Sequence, residues 1–323
     1  PTSLASIAIS NQLGIKEFEK QYRDHLSGFH TWDQKDHAES WMLFPSNLGS
    51  RLAIDETELT NGELYTIVTN KAAHGRKGAL VAMVEGTKAE AVAAVLCRIE
   101  ARKRSMVAEV TLDLSPAMEA IVRRSFPCAR VTSDRFHVQQ LVSGALQEIR
   151  VSLRRDAIKA ESASLIKART DKTVFVPQMH ANGDTDKQLL ARSRYLLFKP
   201  ESRWHESQKE RAGILFASFP SLKHAYNLSM MFRSVYEHGK DRVTAKEKLD
   251  AWYQKVEESS IEEFVVPMAS IQAHEDTILN YFVERSTNAA AESFNAKLKN
   301  FRTVVRGVRD KNFFLFRVAK LYG

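Results

Sequence analysis

Residues 51–57 read RLAIDET, a short apolar run that is followed at once by an acid. Leu52, Ala53 and Ile54 are typical of a strand that is buried on both faces. A carboxylate at the end of such a strand, here Asp55, is costly unless a cation holds it. The segment therefore predicts a central strand that ends on an acid, and the acid is either salt-bridged at the edge of the core or bound to a metal ion.

Four more predicted strands follow this one, and the first two connections are short enough to indicate antiparallel neighbours. The fourth strand (VAEVTL) also runs into an acid, Asp113. Apolar residues at helical spacing predict a helix over 87–103, and Ser115 with Pro116 predicts the start of another. The predicted strands are 51–55, 64–70, 79–84, 107–112 and 129–132.

The resulting order, β-β-β-α-β-α-β, is the ribonuclease-H-like arrangement. The predicted fold class is α/β, a ribonuclease-H-like mixed sheet with helices that is interrupted by a large all-helical insertion. In that topology the fourth strand lies beside the first and parallel to it. Asp55 and Asp113 would then be neighbours at the strand ends where α/β folds place ligands, which favours metal binding.

The chain divides by pattern into four parts. Helical spacing with no strand alternation marks the insertion. Within it, a basic run from Arg150 to Arg169 indicates either a solvated helix face or a track for a DNA backbone, and both readings stay open. The predicted parts are a helical segment over 1–46, the first part of the core over 47–138, the insertion over 139–278 and the rest of the core over 279–323.

The last part contains a third acid-bearing element, residues 287–301 (TNAAAESFNAKLKNF). Thr287 or Asn288 can cap the N-terminus of a helix there. The predicted buried stripe of this helix consists of Phe294, Leu298 and Phe301. Another face carries three polar residues, Glu292, Asn295 and Lys299.

Composition limits the function classes. The chain has 323 residues, a net charge of +8 and a pI of about 9.4, which suits a polyanionic partner such as nucleic acid. Its two cysteines, Cys97 and Cys128, form no C-x-x-C pair, so a structural zinc site or disulfide framework is not expected. No apolar run reaches membrane-spanning length, and a cytoplasmic, nucleoid-associated protein is expected. Since the chain begins at Pro1, whether its natural start lies upstream stays open.

Several motifs together resemble the DDE transposases of bacterial insertion sequences, in particular the ISL-type and ISAon-type groups. They are TLDLSPAM, VTSDRFHV, RSTNAAAESFNAKLK, RGV and FFLFR, at residues 111–118, 131–138, 285–299, 306–308 and 313–317. The resemblance covers the chain from about Arg51 onward. It implies Asp55, Asp113 and Glu292 as the catalytic acids and as ligands of Mg²⁺ or Mn²⁺, with two ions expected.

The same resemblance implies supporting residues. Asp134 and His137 match an element in related families, so Asp134 is a rival to Asp113 as second acid; His137 either bonds to Asp134 or contacts DNA. Asp113 is preferred because it ends the fourth strand. The residues expected to support the site or bind DNA are Asp134, His137, Asn295, Lys297, Lys299, Arg302 and Arg306.

The implied function is metal-dependent DNA cleavage at insertion-sequence ends followed by strand transfer into target DNA. The alternatives are a ribonuclease-H-like nuclease or resolvase without strand transfer, and a DNA-binding derivative that has lost catalysis. The implied partners are DNA and further copies of the chain in a transposition complex. Related proteins carry a zinc-binding and helix-turn-helix region before the first acid, and residues 1–54 contain no such pattern. A separate N-terminal DNA-recognition protein is therefore a further expected partner.

Overall fold

The computed structural model describes residues 3–59, 62–304 and 310–323. The chain forms two compact units. One, the sheet unit, consists of Pro1–Asp134 and Glu284–Gly323, and the other, the helical unit, consists of Arg135–Val283. No helix in the described ranges is long and apolar enough to span a membrane.

The sheet unit is built on six strands in the spatial order β1-β4-β3-β2-β5-β6. The first four strands in this order pair antiparallel, whereas β2, β5 and β6 run parallel. The central strand is thus the one that contains Asp55, and the fourth predicted strand lies beside it in parallel, as predicted. The strands are β1 (Trp41–Leu43), β2 (Arg51–Glu58), β3 (Leu64–Asn70), β4 (Leu80–Glu85), β5 (Glu109–Leu112) and β6 (Arg130–Ser133).

Two features of the sheet differ from the prediction. β2 does not stop at Asp55 but continues to Glu58, because β3 supplies a pairing partner for each residue, with Ile67 opposite Asp55. The strand β1 was not predicted, because three residues are too few to show a strand period, and it pairs with β4 at the edge of the sheet. Asp55 therefore lies within a strand and not at its end.

The described helices begin and end as follows, in chain order. They are α1 (Leu4–Ser10), α2 (Ile15–Gln21), α3 (Ala89–Leu96), α4 (Ala101–Arg104), α5 (Pro116–Ser125), α6 (Arg135–Thr170), α7 (Asp186–Arg192), α8 (Glu206–Ser218), α9 (Pro220–His238), α10 (Arg242–Ser259), α11 (Val265–Ala273), α12 (Glu275–Leu279), α13 (Tyr281–Glu284), α14 (Ala289–Val304) and α15 (Lys311–Tyr322).

Helices cover both faces of the sheet. On one face, α3 and α5 pack on alternate residues of the strands, including Leu52 and Ile54 of β2. On the other face, α14 and α15 pack on residues of the opposite parity, including Ile67 of β3. Side chains alternate along a strand, so Asp55 is on the face that α14 covers. The predicted buried stripe of α14 is confirmed: Phe294, Leu298 and Phe301 are each at most 1% exposed.

Local signals explain where α5 begins. The Ser115 hydroxyl accepts a hydrogen bond from the backbone N–H of Met118 at 3.4 Å, and Pro116 occupies the first helical turn, where no N–H partner is needed. The helix therefore starts three residues after Asp113 and leaves that residue in the turn after β5.

The helical unit contains no strand in the part of the chain that the structure describes. Its core is built on α6, α9 and α10, which contribute large buried side chains such as Phe232 and Trp252. The Trp252 ring N–H donates to the carbonyl oxygen of Leu228 at 3.0 Å, so the indole is buried without an unsatisfied donor. The predicted fold class, a mixed sheet interrupted by a large helical insertion, is confirmed.

Candidate active site

Two of the predicted acids are at one level of the sheet. β2 and β5 pair in parallel, with Ala53 opposite Thr111. Two residues further along, the same register puts Asp55 level with Asp113. Asp55 and Asp113 each lie two residues beyond the paired residues Ala53 and Thr111, and side chains two apart in a strand point to the same face of the sheet. The parallel topology thus brings together two acids that are 58 residues apart in the chain.

A third acid, Asp134, directly follows the edge strand β6 and lies next to Asp113. β5 and β6 pair Leu112 with Ser133, so Asp113 and Asp134 follow at matching positions. One carboxylate oxygen of Asp113 lies within 4.8 Å of one of Asp134. Asp113 and Asp134, which the sequence analysis treated as rivals for one role, are neighbours. Two carboxylates at this separation repel each other when both are ionised, and a cation between them removes that repulsion.

Asp134 is only 3% exposed, and its two oxygens have different surroundings. Oδ1 accepts a hydrogen bond from the backbone N–H of Asn288 at 3.0 Å. Oδ2 is buried and has no hydrogen-bond donor among the described residues. A buried carboxylate oxygen without a donor is costly, and a hard divalent cation is a partner that such an oxygen accepts. The residues present therefore fit Mg²⁺ or Mn²⁺.

His137 follows Asp134 by three residues and is in the first turn of α6. Its ring is half-buried and meets the Phe136 ring edge-on, with the centroids 5.5 Å apart. Imidazole is a more usual ligand for zinc, copper, iron or nickel than for magnesium. The fit to Mg²⁺ or Mn²⁺ therefore depends on the carboxylate oxygens of Asp113 and Asp134 and not on His137.

Asp55 is oriented by two hydrogen bonds. The side-chain amide of Asn295 donates to Asp55 Oδ2 at 2.6 Å, and the backbone N–H of Glu56 donates to Oδ1 at 2.8 Å. Asn295 is 7% exposed, and its position on α14 is set by the buried stripe on the same helix. The hydrogen bond therefore couples the C-terminal helix directly to the central strand of the sheet.

Glu292 is exposed in the first turn of α14, one turn before Asn295. Residues three apart share one side of a helix, so Glu292 is on the side of α14 that carries the Asp55 contact. Within the described ranges, however, neither Glu292 nor Asp55 forms a group of three or more ligand atoms with Asp113 inside 4.8 Å. The structure thus brings Asp113 and Asp134 together, sets Asp55 at their level and leaves the Glu292 side chain at the surface.

The predicted basic residues of α14 differ in their surroundings. The Lys297 ammonium donates to the carbonyl oxygen of Gly75 at 3.2 Å. Arg302 lies 3.6 Å from a Glu63 carboxylate oxygen, and its guanidinium is 4.6 Å from the centre of the Phe314 ring. Lys299 is exposed, and Arg306 lies outside the described residues. Arg302 is thereby tied to the packing of α14 and α15.

A buried acid that the sequence patterns did not predict lies on the same face as Asp113. Glu109 of β5 is 1% exposed; the Lys71 ammonium lies 3.4 Å from its Oε1, and the Arg130 guanidinium donates to its Oε2 at 3.1 Å. Burial raises the pKa of the Glu109 carboxyl, but hydrogen bonds from Ser286, Arg130 and Lys71 outweigh this and lower the pKa below its usual value. The signal for it was a single acid within the otherwise apolar strand VAEVTL.

Arg130 also forms an ion pair with Glu284, which lies in the segment before α14. Glu284 accepts from Arg130 at 3.2 Å and from Arg51 at 2.6 Å. Arg51 is the first residue of β2, which carries Asp55, and Arg130 is the first residue of β6, which precedes Asp134. The two ion pairs therefore fasten Glu284, in the segment before α14, to both strands. We call Arg51, Lys71, Glu109, Arg130 and Glu284 the charged network of the sheet unit.

Comparison with known proteins identifies the family of the chain. The family model of the ISL3-type DDE transposases, described as "Transposase", matches residues 52–318, from the start of β2 to α15, which is more than half of the chain. No curated protein and no solved structure matches the chain significantly. The family implies a DNA-cleaving enzyme that binds DNA and uses divalent metal ions. The chain belongs to the ISL3-type family of DDE transposases.

Proposed function

We propose that this chain cleaves DNA at the ends of an insertion sequence and joins the freed ends to target DNA. The observation that carries the proposal is the alignment of Asp55, Asp113 and Asp134 at one level on one face of the sheet, beside the helix that bears Glu292. Asp55, Asp113 and Glu292 are the proposed catalytic acids. Asp134 is a further proposed metal ligand, because its buried oxygen lacks a donor.

The proposed cofactor is Mg²⁺ or Mn²⁺, with two ions bound. These hard cations prefer oxygen ligands, which the clustered aspartates provide. When bound, they neutralise charge on the scissile phosphate and lower the pKa of water. The proposed metal ligands are Asp55, Asp113 and Glu292, with Asp134 in addition.

The residues of the chain have distinct proposed roles around that centre. Asn295 keeps the Asp55 carboxylate in one orientation. Glu292, exposed one turn earlier, completes the site from the helix side when DNA is bound. Lys297 and Lys299 are proposed to hold flanking phosphates, because a cation paired with a phosphate oxygen makes a strong hydrogen bond. His137 is proposed to contact DNA, and Arg302 and Arg306 to support the same surface.

The proposed chemistry has two steps at phosphorus. Water attacks a phosphodiester at the element end, the P–O bond to the 3′ oxygen breaks, and that oxygen takes up a proton to become a 3′-hydroxyl. The 3′-hydroxyl then loses its proton and attacks a phosphodiester of the target, whose own 3′ oxygen leaves. Each step exchanges one P–O bond for another, so no external energy source is required.

The test uses Asp55→Asn, Asp113→Asn, Asp134→Asn and Glu292→Gln, with the exposed surface acid Asp33→Asn as the matched control. Each substitution removes a charge with little change in volume. We expect the Asp55, Asp113 and Glu292 variants to lose cleavage of a plasmid carrying the element ends, while Asp33→Asn keeps it. Circular dichroism checks that each variant is folded. Full activity in Asp113→Asn with none in Asp134→Asn would reassign the second acid.

A second assay separates transposition from simple nuclease action. DNA with pre-cleaved 3′-hydroxyl ends needs only the joining step. Joined products that require Mg²⁺ or Mn²⁺ and disappear in Asp55→Asn would support strand transfer. Cleavage of intact ends without joining of pre-cleaved ends would instead indicate a nuclease or resolvase.

A further inference from the structure

A cavity of about 620 Å³ opens between α6 and α9 within the helical unit. This volume lies within the range of roughly 300–1,000 Å³ that is typical of sites for small organic groups. No residue of the proposed catalytic set lines it. Its wall on α6 begins at Arg135, the residue that directly follows Asp134 in the chain.

Aromatic rings form part of this wall. Phe136 on α6 is 60% exposed and Phe198, which precedes α8, is 37% exposed. Tyr236 on α9 also lines the cavity and is buried. Exposed phenylalanine rings beside a cavity offer flat apolar surface to a planar ligand, and proteins that bind unpaired nucleotides stack the bases on such rings.

The polar part of the wall includes three side-chain amides, those of Gln139, Gln140 and Gln147. Gln139 Nε2 is buried and has no acceptor among the described residues. Gln140 is exposed one residue further on, whereas the Gln147 carbonyl already accepts from Arg150 at 2.7 Å. An amide offers a donor and an acceptor side by side, which is the pattern that base edges present. A planar heterocycle would satisfy Gln139, and a purely apolar ligand would not.

Two arginines and one glutamate line the cavity. α6 carries seven Lys or Arg residues against three Asp or Glu; one of the seven, Arg135, lines the cavity, and the other six follow Gln147 along the helix. At the cavity itself, Arg135 is exposed and Arg233 is held by Glu237 at 2.9 Å and by the carbonyl oxygen of Phe198 at 2.9 Å. The surroundings therefore suit a ligand whose base is attached to a phosphate backbone.

We propose that this cavity holds a single nucleobase of the DNA substrate that has left the base stack. The proposal rests on the proposed function, since it takes the ligand to be the DNA on which the enzyme acts. Unstacking a base costs energy, and a pocket that restacks it on Phe136 and satisfies its edge with Gln139 recovers that energy. The helical unit thus binds DNA through a base as well as through phosphates.

The test compares two glycines in the middle of helices. Gly144 lies on the cavity-lining face of α6, four residues after Gln140 and three before Gln147, and a Cβ there meets nothing within 4 Å. Gly213 on α8 is equally open but does not line the cavity. Gly144→Leu therefore fills the cavity, and Gly213→Leu is the matched control. Leucine favours a helix more than glycine does, so both variants are expected to fold.

The probe is a fluorescein-labelled DNA hairpin with one unpaired adenine, compared with the same hairpin carrying an abasic site there. We expect the full chain to bind the adenine hairpin about five- to a hundredfold more tightly, as stacking of one base on an aromatic ring provides. Gly144→Leu should reduce this ratio to near one, whereas Gly213→Leu should keep it. Phe136→Ala, which changes an exposed ring, should also lower the ratio.

Three outcomes would overturn the proposal. One is equal binding of both hairpins by the unaltered chain, and another is an unchanged ratio in both Gly144→Leu and Phe136→Ala. If the chain still cleaves element ends in either case, the proposed function stands and only the base pocket is wrong. The third is an absence of DNA binding and of cleavage, which would remove the proposed function together with the pocket.

Discussion

At the scale of single residues, the Asn295 side chain fixes the orientation of the Asp55 carboxylate. A carboxylate on a strand can rotate about its side-chain bonds, and the 2.6 Å hydrogen bond from Asn295 selects one orientation. Groups behind a metal ligand tune both its geometry and its affinity for the ion. Asn295 is therefore a positioning residue, and its effect should appear in the metal dependence of the reaction.

We expect Asn295→Ala to lower metal affinity or activity by roughly 10- to 100-fold, the usual cost of losing such a partner. The measurement is cleavage of element-end DNA over a range of Mn²⁺ concentrations, in which the half-maximal concentration should rise. Asn300→Ala, an exposed asparagine on the same helix, is the control. An unchanged Mn²⁺ requirement in Asn295→Ala would show that the amide only packs α14 on the sheet.

At the scale of elements, the charged network joins the strands to the entry of α14. Glu109 forms ion pairs with Lys71, in the turn after β3, and with Arg130 of β6. Glu284 forms ion pairs with Arg51 and Arg130. Removing one partner of a buried ion pair leaves the others uncompensated, which costs more than the pair itself contributes. Glu109 is thus expected to be a main electrostatic determinant of the stability of the sheet unit.

We expect Glu109→Gln to lower the free energy of unfolding by about 3 kcal/mol at neutral pH. The pKa of Glu109 is lowered from its usual 4.5, so its stabilisation is present above pH 4.5 and is lost as the pH falls through the lower folded-state pKa. Urea unfolding from pH 7 to pH 3 should show the difference from the unaltered chain shrinking below about pH 4.5. Glu90→Gln, which breaks an exposed pair with Arg124, should change nothing measurable. A difference that stays constant down to pH 3 would contradict this account.

Sequence patterns predicted some of these elements better than others. The start of α5 carries a local signal in Ser115 and Pro116, and the stripe of α14 carries a helical period, so both were predicted. The extension of β2 beyond Asp55 depends on pairing with β3, which no local pattern in 51–58 shows. The proximity of Asp113 and Asp134 depends on the register of β5 with β6, which the sequence does not show, so the two acids were predicted as alternatives. The contacts of Glu109 join four separate segments of the chain, so no periodic pattern in the sequence indicates them.

At the scale of the whole molecule, charge determines how the chain meets DNA. Its 47 Lys and Arg against 39 Asp and Glu are spread over both units, and several of these cations are paired internally. Spread cations contact phosphates, which carry no base information. A further copy of the chain and a separate recognition protein are proposed partners in the transposition complex.

We expect these 323 residues to bind DNA in a salt-sensitive way and with little preference for the element ends. Affinity should fall by roughly 0.9 log units per log unit of salt for each phosphate contacted. Competition between element-end and scrambled DNA measures the preference, and the proposed recognition protein should raise it. A preference above roughly a thousandfold, the low end for specific readers, would place the end-reading surface within these residues.

The split of the sheet unit along the chain has a consequence for its synthesis on the ribosome. Met42, Tyr65 and Ile67 are covered by α14 and α15, which are made only after residues 135–283. At roughly 5–20 residues per second, translating that segment takes roughly 7–30 s. During this time one apolar face of the nascent sheet has no cover and is open to chaperones or to aggregation. A chain that ends within residues 135–283 would lack Asn295 and Glu292 and would leave that apolar face exposed, so it is expected to aggregate.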